Sequence, residues 1–231
     1  MVQEHTDRGR RTVVAIGNTS AQLALRDPDT ALMLRVRAEE PGAFEELVEK
    51  YRQRLVAVMH HLVGNAEEAE DLAQEVFLRV YRNRRKYRAK AKFSTWLFTI
   101  ANNLASNARR SHKRKPHVAL PASDPSGVLG ARPQEQLVPD RGSHPSQRIQ
   151  RQELAAFVRR AVDGLNERQR VAVILNKFEE MNYAEIAEVM GLTTKAVKSL
   201  LNRARVNLRQ ALLPYLYPEG GPLPEAPAET D

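Results

Sequence analysis

The chain has 231 residues, a formal net charge of +8 and no cysteine. Its length allows one large or two small domains, and the missing cysteine excludes disulfides and thiolate metal sites. The positive charge indicates a polyanionic partner such as nucleic acid. No apolar run reaches the roughly 18 residues that a membrane span needs, so we expect a cytoplasmic protein without membrane insertion.

Helical patterns dominate the chain after residues 1–28, whose weak periodicity predicts a disordered N-terminal extension. From Phe44 onward, apolar residues recur at three- and four-residue steps, which predicts an amphipathic helix that ends near Gly64. Asn65 then precedes the next helix, and Glu68 three residues later completes the spacing of a capping box.

Two further helix starts are predicted downstream. The helix after a basic loop begins at Ser94 or Thr95 and buries a face that includes Trp96. In the last third of the chain, Asn166 precedes another helix, with Gln169 three residues later.

A stretch with the composition of a linker divides these helices into two groups. Six prolines, three glycines and four serines interrupt residues 116–148, a composition that cannot bury enough surface to offset ordering entropy. We therefore expect a flexible linker there and a disordered, proline-rich tail over 214–231. The predicted fold class is all-α, with two small helical domains at 29–115 and 149–213.

The segment around Gly191 has the pattern of a helix-turn-helix. An amphipathic helix ends at this glycine, and apolar residues then recur at helical spacing up to Leu208, with no acidic residue in 192–210. Ala187 is small where the two helices would cross, and Val197 is apolar where the second would enter the core. Together these features favour nucleic-acid binding by a basic recognition helix over an ordinary solvated face.

A second basic stretch, residues 76–122, also lacks acidic residues, and aromatic rings alternate with its cations. Cations can follow a phosphate backbone, while exposed rings can stack on unpaired bases at about 1–3 kcal/mol each. This combination favours strand-separated nucleic acid over intact duplex. Tyr87 and Phe93 lie in the basic loop, where we do not expect burial, whereas Trp96 fits a core position as well as a base-stacking one.

The helix before that loop has a polar side formed by Asp71, Gln74, Glu75 and Arg79. A solvated helix face is the default explanation, and a docking surface for a protein partner is the alternative. Composition does not distinguish the two.

Several motifs occur in one order: DLAQEVFLRVYRN, a basic loop, FSTWLFTIANNLASNARR, a linker, LNERQRVAVIL, and YAEIAEVMGLTTKAVKSLLNRAR. This order resembles the bacterial RNA polymerase sigma factors of the sigma-70 family, and most closely their small extracytoplasmic-function (ECF) group. The resemblance covers about 29–115 and 149–212. It implies sigma domains two and four, a polymerase core partner (the clamp helices of the largest subunit and the flap of the second largest), and promoter DNA.

The resemblance also assigns roles by position. The residues that would face the polymerase clamp helices are Asp71, Leu72, Gln74, Glu75, Val76, Phe77 and Tyr81. The residues that would bind and melt the minus-10 element are Tyr87, Arg88, Lys90, Lys92, Phe93, Ser94, Thr95, Trp96, Asn102, Asn103, Arg109 and Arg110. The residues that would approach the minus-35 element are Thr194, Lys195, Lys198, Ser199, Asn202, Arg203 and Arg205. Asn102 departs from the family pattern, in which an arginine is frequent at that position.

An enzyme fits the sequence poorly. His60 and His61 are adjacent on a predicted helix and point about 100° apart, so they cannot share a metal ion through one face, and the chain has no glycine-rich phosphate loop. We therefore expect no catalytic, metal or cofactor site. A stand-alone helix-turn-helix regulator of duplex operators is the main alternative function, and an RNA-binding protein is a weaker one. An anti-sigma factor is a possible further partner.

Overall fold

The computed structural model describes Ser20, residues 22–114 and residues 145–216, and within them only helices and their connections form. Residues 22–26 are helical. The longer helices of these residues are α1 (Pro28–Arg37), α2 (Ala43–Val63), α3 (Ala66–Asn83), α4 (Phe93–Arg114), α5 (Pro145–Asp163), α6 (Glu167–Lys177), α7 (Tyr183–Met190) and α8 (Thr194–Leu216). A 3-10 turn, Arg84–Lys86, follows α3. The predicted all-α fold is confirmed.

Several predicted helix ends lie where the capping residues suggest. Gly64 adopts a left-handed φ of 82° and ends α2, a conformation that suits glycine because it has no Cβ. The Asn65 side chain accepts the Glu68 N–H at 2.9 Å at the start of α3. Asn166 likewise accepts the Gln169 N–H at 3.0 Å and begins α6.

A contact distant in sequence moves the predicted start of α4. The helix begins at Phe93 rather than at Ser94 or Thr95, because the carboxylate of Asp27 accepts the Phe93 N–H at 3.2 Å. The same carboxylate caps α1 by accepting the N–H of Thr30 at 3.2 Å. One side chain therefore satisfies the first turns of two helices.

The edges of the segments predicted to be disordered also shift. Residues 22–28 are helical or cap α1, and α5 begins at Pro145, inside the predicted linker. Helix α8 continues to Leu216, past the predicted start of the tail, and the ring of Tyr215 lies 5.0 Å from that of Phe157 of α5. The remaining parts of these predictions lie outside the described residues, at 1–19, 21, 115–144 and 217–231.

The helices pack as two groups that touch each other. Helices α1–α4 surround a core in which Tyr51, Phe93 and Phe98 are among the largest fully buried side chains, and α5–α8 surround Ile174 and Ile186. Each such side chain contributes roughly 1.5–3 kcal/mol relative to an exposed position. Helix α4 lies against α7, and α2 lies against α6. The α4 residues predicted to bind DNA are therefore close to the C-terminal helices.

Candidate nucleic-acid interface

Helices α7 and α8 form the predicted helix-turn-helix, held by local hydrogen bonds and a buried contact. The Asn182 side chain accepts the Glu185 N–H at 3.0 Å, and Glu185 in turn accepts the Asn182 N–H at 2.9 Å, which completes a capping box. Gly191 ends α7 with a left-handed φ of 63°. Val197 is fully buried and Ala187 nearly so, as predicted, and these residues fix the angle at which α8 leaves the turn.

The basic side of α8 faces solvent. The side chains of Thr194, Lys195, Lys198, Ser199 and Arg203 are exposed, as expected for the second helix of a helix-turn-helix. An exposed, acid-free helix of this kind can enter the major groove of duplex DNA and donate hydrogen bonds to guanine edges or phosphates.

Arg205 and Asn202 are less free than the other predicted minus-35 residues. Arg205 donates hydrogen bonds to the Asn202 side chain at 2.9 Å and to the Tyr183 hydroxyl at 3.1 Å. This pair therefore links α8 to the first turn of α7. Any contact of Arg205 with a base requires these bonds to be exchanged.

The aromatic residues of the basic loop (residues 84–92) and the start of α4 are packed inside the protein. Phe93 is fully buried and Tyr87 is 3% exposed, and the Phe93 ring lies 5.3 Å from that of Tyr51 and 6.3 Å from that of Tyr87. Burial raises the pKa of the Tyr87 hydroxyl to about 12. The expectation that these two rings are exposed is wrong, because α1 and α2 pack over them. Their faces cannot stack on a base in this arrangement.

The rest of the basic loop presents cations to solvent. Arg88, Lys90 and Lys92 are exposed, Ser94 and Trp96 are half-buried, and Thr95 is buried. Trp96 joins the aromatic cluster, with its ring 4.9 Å from that of Tyr87. In the described arrangement this loop can follow a phosphate backbone, and among the predicted minus-10 residues only Trp96 offers part of an aromatic ring to solvent.

The predicted minus-10 residues further along α4 divide into two sets. Asn103 and Arg110 are exposed, whereas Asn102 and Arg109 are half-buried. Arg109 donates to the carbonyl of Leu62 at 2.8 Å. Burial lowers the pKa of the Arg109 guanidinium. Only the first set is available to an outside ligand in this arrangement.

Helix α3 carries an exposed face that mixes polar and apolar side chains. Asp71 and Gln74 are exposed, and Glu75 pairs with Arg79 at 2.8 Å, a hydrogen bond that lowers the pKa of the Glu75 carboxyl. Next to them lie two large apolar side chains, Leu78 at 48% and Tyr81 at 43% exposure. We call these six residues the α3 face.

Two of the residues predicted to face the polymerase lie behind the α3 face in this arrangement. Val76 and Phe77 are 0% and 7% exposed, and Leu72 is half-buried. Leu78, which is exposed on this face, is not among the residues that the sequence predicted for it. Its place three and four residues after Glu75 and Gln74 is the signal that could have found it, because such neighbours share a helix face.

The described residues contain no group of three His, Asp or Glu side chains that could hold a metal ion. Within the same part of the chain, no helix is both long and apolar enough to span a bilayer.

Comparison with known proteins assigns both helical groups to one family. Residues 47–115 match the family model of Sigma-70 region 2, and residues 158–208 match that of Sigma-70, region 4. The chain is 32% identical over 178 residues to the ECF RNA polymerase sigma factor SigW of Bacillus subtilis, covering 77% of this chain and 93% of SigW. It is 33% identical over 192 residues to the RNA polymerase sigma-H factor of Pseudomonas aeruginosa, covering 83% of this chain and 97% of that factor.

Solved structures share the fold. CnrH, in complex with the cytosolic domain of CnrY, is 20% identical with a TM-score of 0.56, covering 80% of this chain and 97% of CnrH. RpoE of Bartonella quintana, in complex with the anti-sigma factor NepR, is 22% identical with a TM-score of 0.55, covering 74% of this chain and 97% of RpoE.

Proposed function

Since this chain belongs to the sigma-70 family of RNA polymerase sigma factors, in its ECF group, we propose that its three exposed surfaces divide the steps of promoter-directed transcription initiation. The α3 face binds the polymerase core, α8 reads the minus-35 element, and the basic loop with α4 engages the minus-10 element. The observation that carries this assignment is the exposed, acid-free side of α8, held on α7 by the fully buried Val197.

The minus-35 step needs duplex recognition. Lys195, Lys198 and Arg203 are exposed on one helix, whose position on α7 is set by packing rather than by a flexible loop. A basic side chain that reaches a guanine edge contributes roughly 1–3 kcal/mol of discrimination against other bases. We infer that these residues choose the promoter.

The core-binding step needs a surface that combines apolar area with orienting polar groups. The α3 face offers Leu78 and Tyr81 beside Asp71 and Gln74. Exposed apolar side chains surrounded by polar ones are typical of protein interaction sites. We propose that Leu78 and Tyr81 are the anchor residues that bind the polymerase core. We also propose that this complex acts in the cytoplasm.

The cations of the basic loop are the groups that we expect to bind the minus-10 element. Arg88 and Lys90 of this loop are exposed, and Trp96 in the first turn of α4 is half-buried. We infer that phosphates of the opened strand bind the cations, while the exposed part of Trp96 meets an unstacked base. Tyr87 and Phe93 then act by holding the loop from inside.

An anti-sigma factor is a further partner that we propose. The related fold of RpoE was solved with the anti-sigma factor NepR. The α3 face and the exposed side of α8 are surfaces that such a partner could cover.

The test is reconstitution with purified polymerase core. We expect co-elution in gel filtration and transcripts that start at defined promoters. Leu78→Ala should weaken core binding by about 1 kcal/mol or more, as for an interface anchor. Leu25→Ala is the matched control, because Leu25 is also exposed, at 87%, and belongs to the helical segment 22–26 rather than to α3. Equal effects of the two leucine variants would contradict the α3 assignment.

The same experiment separates the main alternative. A chain that fails to co-elute with core, yet binds duplex DNA tightly and specifically by itself, would be a stand-alone helix-turn-helix regulator. In that case α8 would still read duplex DNA, but the α3 face would not be a binding site for the polymerase core.

A further inference from the structure

The basic loop has little regular structure of its own. After the 3-10 turn, residues 87–92 form neither helix nor strand. The backbone groups of such a loop are not fixed by a ladder of hydrogen bonds, so its shape depends on contacts from other segments. Side chains from α1 and from the residues on either side of it supply these contacts along the loop.

Two of the contacts hold the middle and the end of the loop. Arg37, the last residue of α1, donates a hydrogen bond to the carbonyl oxygen of Tyr87 at 3.3 Å. The carboxylate of Asp27 accepts the Phe93 N–H at 3.2 Å, directly after the loop. Both ends of α1 are therefore joined to the loop backbone.

Glu39, in the turn between α1 and α2, holds the start of the loop. Its Oε1 atom lies 2.7 Å from a guanidinium nitrogen of Arg84 and 2.8 Å from one of Arg85. The hydrogen bonds from Arg85 and Arg84 lower the pKa of the Glu39 carboxyl, so this group is ionised at neutral pH. One carboxylate therefore binds both of the residues with which the 3-10 turn begins.

Arg84 is also fixed on its other side. Its guanidinium carbon lies 3.9 Å from the centre of the Tyr81 ring, and the guanidinium donates a hydrogen bond to the Tyr81 carbonyl at 2.9 Å. The Arg84 side chain is only 18% exposed. Glu39 is thus joined through Arg84 to the end of α3, and the direction in which the loop leaves α3 is set by these bonds.

The backbone at Glu39 is strained. Its φ is 60°, a left-handed value that glycine adopts readily and a glutamate rarely. Strain of this kind persists only where the surrounding structure imposes it, and it is concentrated at functional sites. The Glu39 side chain is 45% exposed, so core packing does not account for it. What glutamate supplies here, and glycine could not, is the pair of bonds to Arg84 and Arg85.

We propose that Glu39 is a positioning residue for recognition of the minus-10 element. By holding Arg84 and Arg85, it determines where the loop presents Arg88 and Lys90 to the opened strand. Glu39 acts through the loop and does not itself contact DNA. This inference rests on the proposed function, because it assigns the basic loop to the minus-10 element.

Two substitutions at position 39 separate positioning from folding. Glu39→Gln keeps the size of the side chain and removes its charge, whereas Glu39→Gly removes the side chain and relieves the strained φ. We expect Glu39→Gly to melt at the wild-type temperature or above it. Glu40→Gln is the matched control, because Glu40 is the next carboxylate in the same turn and pairs with Arg35 of α1.

The position of the loop is measured first in the free, full-length chain. Trp96 is the only tryptophan of the sequence, and its ring lies 4.9 Å from that of Tyr87, so its fluorescence reports on the loop. We expect acrylamide to quench this fluorescence more strongly in both Glu39 variants than in the wild type or in Glu40→Gln. Unchanged quenching would overturn the claim that Glu39 holds the loop.

The effect on recognition is measured by transcription with the polymerase core. The templates carry single base changes in either the minus-10 or the minus-35 element. We expect both Glu39 variants to lose about two- to fivefold in preference among minus-10 sequences, the range for a partly exposed ion pair. Co-elution with core and preference among minus-35 sequences should stay at the wild-type level, as should every property of Glu40→Gln.

A merely structural role would give a different pattern. A lower melting temperature of Glu39→Gly, or equal losses on minus-10 and minus-35 sequences, would overturn the positioning role. So would an unaltered minus-10 preference in both Glu39 variants. Failure of the wild type to start transcripts at defined promoters would overturn the proposed function as well, whereas normal wild-type initiation with unaltered Glu39 variants would overturn only the role of Glu39.

Discussion

The basic surfaces of α4 and α8 carry the same kinds of residue but differ in what surrounds them. On α8, Lys198 and Arg203 are exposed beside other polar side chains. On α4, Asn102 and Arg109 are half-buried and bonded to groups from α7 and α6. A basic stretch without acidic residues therefore indicates affinity for DNA, while availability is decided by groups that are distant in sequence.

The aromatic residues extend this comparison. A ring next to several cations suits a base-stacking site when it is exposed, but Phe93 is fully buried against Tyr51 and Tyr87. The start of α4 is thus a packed structural element that presents cations, whereas α8 presents its contacts directly. The predictions below test this difference, beginning with the largest expected effect.

Truncating Phe93 would separate a structural role from a base-stacking role most clearly. We expect Phe93→Ala to lower the free energy of unfolding by about 3–5 kcal/mol, the usual loss for a buried phenylalanine. Urea denaturation followed by circular dichroism measures this, with Ser94→Ala as the neighbouring control. A loss below about 1 kcal/mol together with poor promoter opening would instead favour a direct role on DNA.

On α8, substitution of an exposed basic residue should change the affinity for DNA and leave the free energy of unfolding unchanged. Arg203→Ala should reduce discrimination between minus-35 sequences by about 1–3 kcal/mol if Arg203 reads a base. If it contacts a phosphate, all sequences weaken alike and the salt slope falls by about one unit. Affinities for sites with single base changes, measured at several salt concentrations, distinguish the two. Lys198→Ala is tested in the same way.

Asp27 tests whether the start of α4 depends on a remote cap. Its carboxylate accepts the N–H groups of Thr30 and Phe93, so Asp27→Ala should cost about 1–2 kcal/mol of unfolding free energy, as for other lost N-caps. Asp27→Asn should cost less, because the amide oxygen still accepts. Equal losses in thermal denaturation would show that capping is not what Asp27 contributes.

The smallest expected effect is a pH dependence of the free energy of unfolding, which arises from His61 at the contact between the two groups of helices. Burial lowers the pKa of His61 below its ordinary value of 6.5. Among charged neighbours, Asp163 raises it, while His60, Arg159 and Arg170 lower it further. As the pH falls, the His61 imidazole is therefore protonated in the unfolded chain before it is protonated in the folded chain. The free energy of unfolding consequently decreases below about pH 6.5.

We expect His61→Phe to reduce this loss, because phenylalanine keeps a ring against Phe178 and cannot be protonated. Denaturation midpoints on either side of about pH 6.5 measure it. His60→Ala removes a neighbour that lowers the pKa of His61, so we expect it to reduce the loss less than His61→Phe does. An unchanged pH slope in His61→Phe would exclude His61 as its source.

Much of the fold follows from local sequence. Many helix ends depend on hydrogen bonds between residues that are close in the chain. Examples are the N-caps at Asn65 and Asn166 and the glycines that end α2 and α7. Such ends can be predicted from the residue types at neighbouring positions. The helix-turn-helix is of the same kind, because the buried position of Val197 follows from the spacing of apolar residues.

The sequence by itself determined the all-α class, the order of the family motifs and the basic character of both segments predicted to bind DNA. Only the tertiary structure decided that Phe93 is buried, that Asp27 caps α4 and that Glu185 pairs with Lys92. The physical reason is the separation in sequence over which each interaction acts. Helix propensity and capping act between neighbours in the chain, whereas burial and ion pairing depend on which distant segments the fold brings within a few ångströms.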